Sequence, residues 1–177
     1  MAGVKLYLRT LGGNPVLRFV RPGGALDALP VLRLFAYVDL RAHVQLGSGS
    51  VVKAAHPDCV VDTGSPLSVL PEYIWSRFRP GAVTPLPFDP ALPQVRRFLT
   101  VGGGRYPFEL GELDICLRDL DGRTMSLRAV AQLTRDNGAL QVPMLLGLSG
   151  GVIDGRILRS EPDAAAPFGQ AWALEDP

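Results

Sequence analysis

Cys59-Val60-Val61-Asp62-Thr63-Gly64-Ser65-Pro66-Leu67-Ser68-Val69-Leu70-Pro71 sets an ionisable carboxylate at the end of an apolar run and follows it with a small hydroxyl residue and a glycine. The run before Asp62 has the β-branched character of a strand. A carboxylate there would be costly to bury unpaired, so packing alone explains it poorly. The stretch reads as a strand that delivers an aspartate into a tight loop, where Gly64 lets the backbone approach the carboxylate. Taken alone, Asp62-Thr63-Gly64 is a short string that also occurs as a plain turn.

Working outward, Leu32 to Leu40 alternates as a strand should, and Val51 to Ala54 and Cys59 to Val61 follow as short β-branched runs, so three strands lead into the loop. After it, Pro71 to Phe78 carries proline at a first helical position and apolar residues at helical spacing, and Pro80 stops this short helix. Five prolines from Pro80 to Pro93 predict an irregular surface connection. Arg97 to Leu117 reads as strand, turn and strand with Gly102-Gly103-Gly104 at the turn, and Met125 to Leu133 is a further strand after Asp121-Gly122. Val142 to Leu148 is an apolar run ended by glycines. Val152 to Leu158 closes the ordered pattern ahead of an alanine- and proline-rich tail from Glu161, which is expected to be mobile. Asp154-Gly155 lacks a hydroxyl neighbour and reads as a turn.

The 177 residues suffice for one buried core, and 20 glycines with 16 prolines leave long helices little room. The expectation is one all-β domain with one or two short helices. A formal charge of +1, with both signs interspersed, offers no footprint for nucleic acid or anionic lipid. The absence of a signal-peptide h-region and of any run approaching ~18 apolar residues predicts a soluble, cytoplasmic protein. Lys5 and Lys53 are the only lysines, and this arginine, alanine and proline bias points to a GC-rich bacterial genome. Cys59 and Cys116 each sit in an apolar run and read as free thiols. His43 and His56 are the only histidines, too few parts for a histidine-rich metal site or a Ser-His-Asp triad, so no metal and no cofactor are expected.

Val61-Asp62-Thr63-Gly64-Ser65, with its hydrophobic approach and the Leu67 to Pro71 continuation, resembles the active-site loop of the aspartic proteases. Pepsin-like members carry two such loops in a chain of about twice this length. Retroviral proteases and their cellular and bacterial relatives carry one and dimerise, so the likeness is to the retropepsin-like branch. Phe98 to Phe108 falls where those relatives place a glycine-tipped flap, Leu145-Leu146-Gly147 resembles their hydrophobic-hydrophobic-glycine element, and Gly151 to Leu158 is similar to the closing segment of soluble bacterial members. The resemblance runs from about Pro30 to Leu158. It implies an N-terminal extension over 1–29, a protease domain over 30–160 with a closed, barrel-like acid protease fold, one lobe per chain, and a tail over 161–177.

For the site, the resemblance implies catalytic Asp62, Thr63 and Gly64, support from Ser65, Leu146 and Gly147, and a substrate-binding flap of Val101, Gly102, Gly103 and Gly104. The chemistry requires two copies, because paired carboxylates about 3 Å apart share one proton and divide general acid and base work. The Thr63 hydroxyl is suited to bond across the dimer axis and that of Ser65 to orient the outer carboxylate oxygen. The implied partners are a peptide or protein substrate and a second copy, with no nucleic acid and no membrane. Leu148-Ser149-Gly150-Gly151 departs from the helix-opening polar pair of retroviral enzymes, and the extension ahead of Pro30 implies a differently built interface. An alternative is a catalytically silent peptide-binding or assembly module on the same fold.

Overall fold

Turn residues cut this chain into short extended runs, and the alternation within those runs decides which side chains face inward. The computed structural model describes residues 3–10, 16–46, 49–55, 58–76, 83–89, 91, 98–101, 104–135 and 143–177. Its strands are β1 (Gly3–Thr10), β2 (Val16–Val20), β3 (Leu26–Pro30), β4 (Leu32–Leu46), β5 (Gly49–Ala55), β6 (Asp58–Val61), β7 (Ser68–Leu70), β8 (Val83–Leu86), β9 (Phe98–Val101), β10 (Gly104–Arg118), β11 (Thr124–Thr134), β12 (Leu145–Leu146), β13 (Ile157–Pro162) and β14 (Gln170–Glu175). A helical turn spans 72–76. The protein is all-β, as its composition implies. Among the described residues no helix is long and apolar enough to cross a membrane.

The longest ladder is the β10–β11 hairpin, paired from Phe108 opposite Thr134 to Arg118 opposite Thr124. Alternation buries Leu113, Ile115 and Leu117 on one strand and Met125, Leu127, Ala129, Ala131 and Leu133 on the other. Each leucine, isoleucine or methionine among them contributes about 1.5–3 kcal/mol by leaving water. The turn is closed by Gly122, whose φ of 84° suits a residue without Cβ. The buried Asp119 carboxylate there accepts the Arg123 and Lys5 amides.

Twelve strands form one main sheet in the order β13-β14-β1-β4-β6-β12-β7-β11-β10-β8, with β5 added to β4 and β9 to β10. β4 also pairs with β10 through Tyr37 to Asp39, so the path β4-β6-β12-β7-β11-β10 returns to its start. Two parallel contacts stand out among antiparallel ones: β12 with β6, and β11 with β7. They place the Asp62 loop between two strands that arrive from distant parts of the sequence.

Both ends of the chain differ from the expectation. Residues ahead of Pro30 supply β1, whose first half pairs with β14 and whose second half pairs with β4. They also supply the separate β2–β3 hairpin. Residues from Glu161, expected as a tail, finish β13 and form β14, with Leu174 buried in the core beside Val4. The apolar spacing of Ala171, Trp172 and Leu174 outweighs the alanine- and proline-rich stretch before it, which is confined to a turn. Of the five-proline connection, Val83–Leu86 is regular and pairs with β10. The Asp154-Gly155 pair is a turn, in which the Asp154 carboxylate accepts the Gly151 amide. Cys59 and Cys116 are free thiols.

Candidate active site

β6 is zipped along β12, with Leu145 beside Val60 and Leu146 beside Val61. The Val60 amide donates to the Met144 carbonyl and the Asp62 amide to the Leu146 carbonyl, each at 3.0 Å. Asp62 is thereby fixed at the residue where strand gives way to loop. The chain then turns on itself: the Ser65 amide reaches the Asp62 carbonyl at 3.1 Å, and the Gly64 amide donates to Asp62 Oδ1 at 3.0 Å. A Cβ on Gly64 would lie 3.2 Å from that oxygen, so a small residue suits the place where backbone meets carboxylate. Asp62 is half-buried, while Thr63 and Gly64 are exposed.

The loop is anchored from below. The Leu148 amide donates to the Ser65 carbonyl at 2.8 Å and the Ser149 amide to the Pro66 carbonyl at 2.9 Å. Gly147 passes so close that a Cβ would stand 2.2 Å from the Leu67 carbonyl carbon. Its amide donates to the fully buried Ser68 Oγ at 3.0 Å. Leu146 is itself buried in the main core. The buried Ser65 hydroxyl donates to the Leu67 carbonyl at 2.8 Å and so braces the loop's own backbone, in place of the bond to the outer carboxylate oxygen that was expected.

Asp62 stands in the wall of a cavity of about 720 Å³. Its walls are apolar side chains of β4, β6 and β12, and its polar groups are Arg33, Asp62, Thr63 and Thr100. Thr100 comes from the β9–β10 hairpin, where Val101 pairs with Gly104 and Phe98 with Pro107. The base of that hairpin is held by Tyr106, which is buried against Val69 and Leu145 with Val60 and Leu99 at the margin. Gly104 fits because a Cβ there would come within 2.8 Å of the Tyr106 ring. Arg105 lies 4.2 Å from the centre of the Phe98 ring, a cation–π contact that ties the two strands together. Gly102 and Gly103, expected at the hairpin tip, lie outside the described residues, as do His56 and Pro57.

The structure thus brings Asp62, Thr63 and Gly64 together with Ser65, Leu146 and Gly147 in one loop-and-strand unit, with the described part of the hairpin reaching the same cavity. Sequence reasoning passed over Arg33, Thr100, Ser68 and Tyr106. For Ser68 the signal was present, a hydroxyl residue flanked by apolar ones after the loop. For the others the sequence carries none, since their positions depend on strand pairing. Away from this loop, a hydrogen bond from Lys5 at 2.7 Å holds Asp121 below its ordinary range, and one from Arg128 at 2.8 Å does the same for Glu112. Among the described residues no three His, Cys, Asp or Glu side chains are grouped to hold a metal ion. No family model matches the chain, and no curated protein matches it.

Proposed function

We propose that the chain is a retropepsin-like aspartic endopeptidase whose active site is completed by a second copy, with the paired Asp62 carboxylates activating water. The seat of Asp62 carries this reading: a carboxylate held by the Gly64 amide at a strand end, in the wall of a cavity that the Thr100 hairpin also lines. The return of the strand path from β10 to β4 supports the barrel-like acid protease fold. The exposure of Thr63 and Gly64 supports a second copy meeting the loop.

One carboxylate per chain is half of the chemistry. Two brought about 3 Å apart cannot both ionise, so they share a proton and titrate as a pair. The ionised member takes a proton from water as that water attacks the peptide carbonyl, and the protonated member donates to the carbonyl oxygen. An extended peptide lies between hairpin and cavity floor, held by strand-like backbone hydrogen bonds, while the apolar walls receive its side chains.

The test is cleavage of a diverse peptide mixture by wild type and Asp62→Asn from acidic to neutral pH, with the molar mass of each in solution. A wild-type dimer should cleave, and a folded Asp62→Asn dimer should lose at least about 100-fold in rate, as expected on removing a general acid–base group. Cleavage retained by Asp62→Asn refutes the mechanism. A folded wild-type dimer that cleaves nothing at any pH leaves the silent peptide-binding module.

A further inference from the structure

We infer that Arg33 forms an acid-binding subsite beside Asp62, so that peptides held in this cavity carry an aspartate or glutamate close to the bond presented to the catalytic carboxylates. The inference rests on the reading of the cavity as a peptide cleft, and it names the substrate class that reading leaves open.

Three observations carry it. The first is position: Leu34 pairs with Val61 and Phe35 with Val60, so Arg33 and Asp62 each stand one step beyond the same ladder, and both line the cavity. Side chains directly opposite in such a ladder have Cβ atoms about 5 Å apart. The second is that Arg33 is exposed and has no ion-pair or hydrogen-bond partner among the described residues, Asp62 included. It is also the only cation among the residues lining the cavity. The third is that Arg9 stands directly opposite Arg33 across β1 and β4. Like charges so placed are destabilising. Arg9 places its guanidinium 4.5 Å from the centre of the Phe35 ring, on the aromatic face it shares with Tyr37. Arg33 is left facing the cavity.

An arginine in the wall of a cavity that also holds apolar side chains suits a carboxylate. Its planar fork binds both oxygens of that group. A bound acidic side chain would relieve the Arg9–Arg33 repulsion, and Arg33 would counter the repulsion between that acid and Asp62. An extended peptide advances about 3.3 Å per residue, so an acid one or two residues from the scissile bond spans the separation of neighbouring ladder positions.

The experiment separates this inference from the protease reading by measuring binding without catalysis. Full-length Asp62→Asn protein is titrated into a fluorescein-labelled decapeptide carrying one glutamate among apolar residues, and into matched peptides with glutamine or lysine in its place. Fluorescence anisotropy is the readout, and molar mass is recorded for every variant. The glutamate peptide should bind roughly tenfold more tightly than the glutamine peptide, the lower end for a hydrogen bond to a charged group. Added Arg33→Gln should erase that difference while the dimer persists, and Arg33→Glu should shift the preference to the lysine peptide. Equal binding of the glutamate and glutamine peptides, no binding of either, or a preference that survives Arg33→Gln overturns the inference. Loss of the dimer in Arg33→Gln also overturns it, by assigning Arg33 to the contact between copies. Wild-type cleavage without acidic preference sinks the subsite and leaves the protease standing; acid-selective binding without wild-type cleavage does the reverse.

Discussion

Gly147→Ala isolates the contact on which the Asp62 loop rests. A Cβ at 147 would lie 2.2 Å from the Leu67 carbonyl carbon, 2.4 Å from its oxygen and 2.6 Å from the Ser68 nitrogen, all of them backbone atoms. No rotamer change relieves such a contact, so the two segments must part by about 1 Å to reach van der Waals separation. The Leu148–Ser65 and Ser149–Pro66 backbone hydrogen bonds resist that movement, and the buried Gly147–Ser68 bond, 3.0 Å long, would be broken by it. Overpacking costs about 1–3 kcal/mol and the lost buried hydrogen bond about 1 kcal/mol more, a total of about 2–4 kcal/mol. For a chain of this size that lowers Tm by about 4–16 °C. Urea and thermal unfolding should be compared with Gly155→Ala, where φ is 73° and a Cβ meets nothing within 4 Å, so that only backbone strain of about 1 kcal/mol applies. If Gly147→Ala is no more destabilising than Gly155→Ala, the close approach is not what holds the loop and the reasoning fails.

Leu174→Ala should cost about 2–5 kcal/mol, because Leu174 is only 2% exposed within the main core. An unchanged urea midpoint would mean that the β13–β14 hairpin is no part of the cooperative unit. The Lys5–Asp121 pair gives a pH signature: the contact holds Asp121 below its ordinary 3.8 and Lys5 above its ordinary 10.5. A carboxyl lowered by folding contributes stability that is present above pH 3.8 and lost as pH falls through the lowered value. A lysine raised by folding contributes below pH 10.5 and fades as pH rises through the raised value. Wild type should therefore be slightly more stable than Asp121→Asn at neutral pH, with the gap closing in acid, in strong base and in high salt. A gap that persists in acid would show that the pair is not its origin.

What the sequence discloses depends on how local the cause is. The β10–β11 hairpin is written in adjacent residues, through alternation from Phe108 onward and the Asp121-Gly122 turn, and the strand into Asp62 is written in Cys59 to Val61. β12 is two residues long and β7 three, too short for any periodicity to register. Their parallel pairing with β6 and β11 is decided by tertiary packing. The same holds for the candidate site. Asp62 attracts notice because a carboxylate after an apolar run needs an explanation, whereas Arg33 and Thr100 look like ordinary polar positions of alternating strands until pairing turns them toward one cavity. The C-terminal strand was hidden for another reason: the alanine- and proline-rich turn before it has the composition of a tail, and only the burial of Leu174 against Val4 shows otherwise.

The pairing of Gly3 with Glu175 has a consequence for synthesis. β1 leaves the ribosome long before β14, the strand that covers its outer half, and Val4 cannot meet Leu174 until β14 has emerged. Until then the nascent chain displays an open strand edge and part of an unlidded core, the kind of surface that recruits other chains. Closure is set by contacts between strands far apart in sequence, which slows folding. Production in the cell should accordingly gain more from cooler growth and chaperone cover than from changes to the surface of the finished protein.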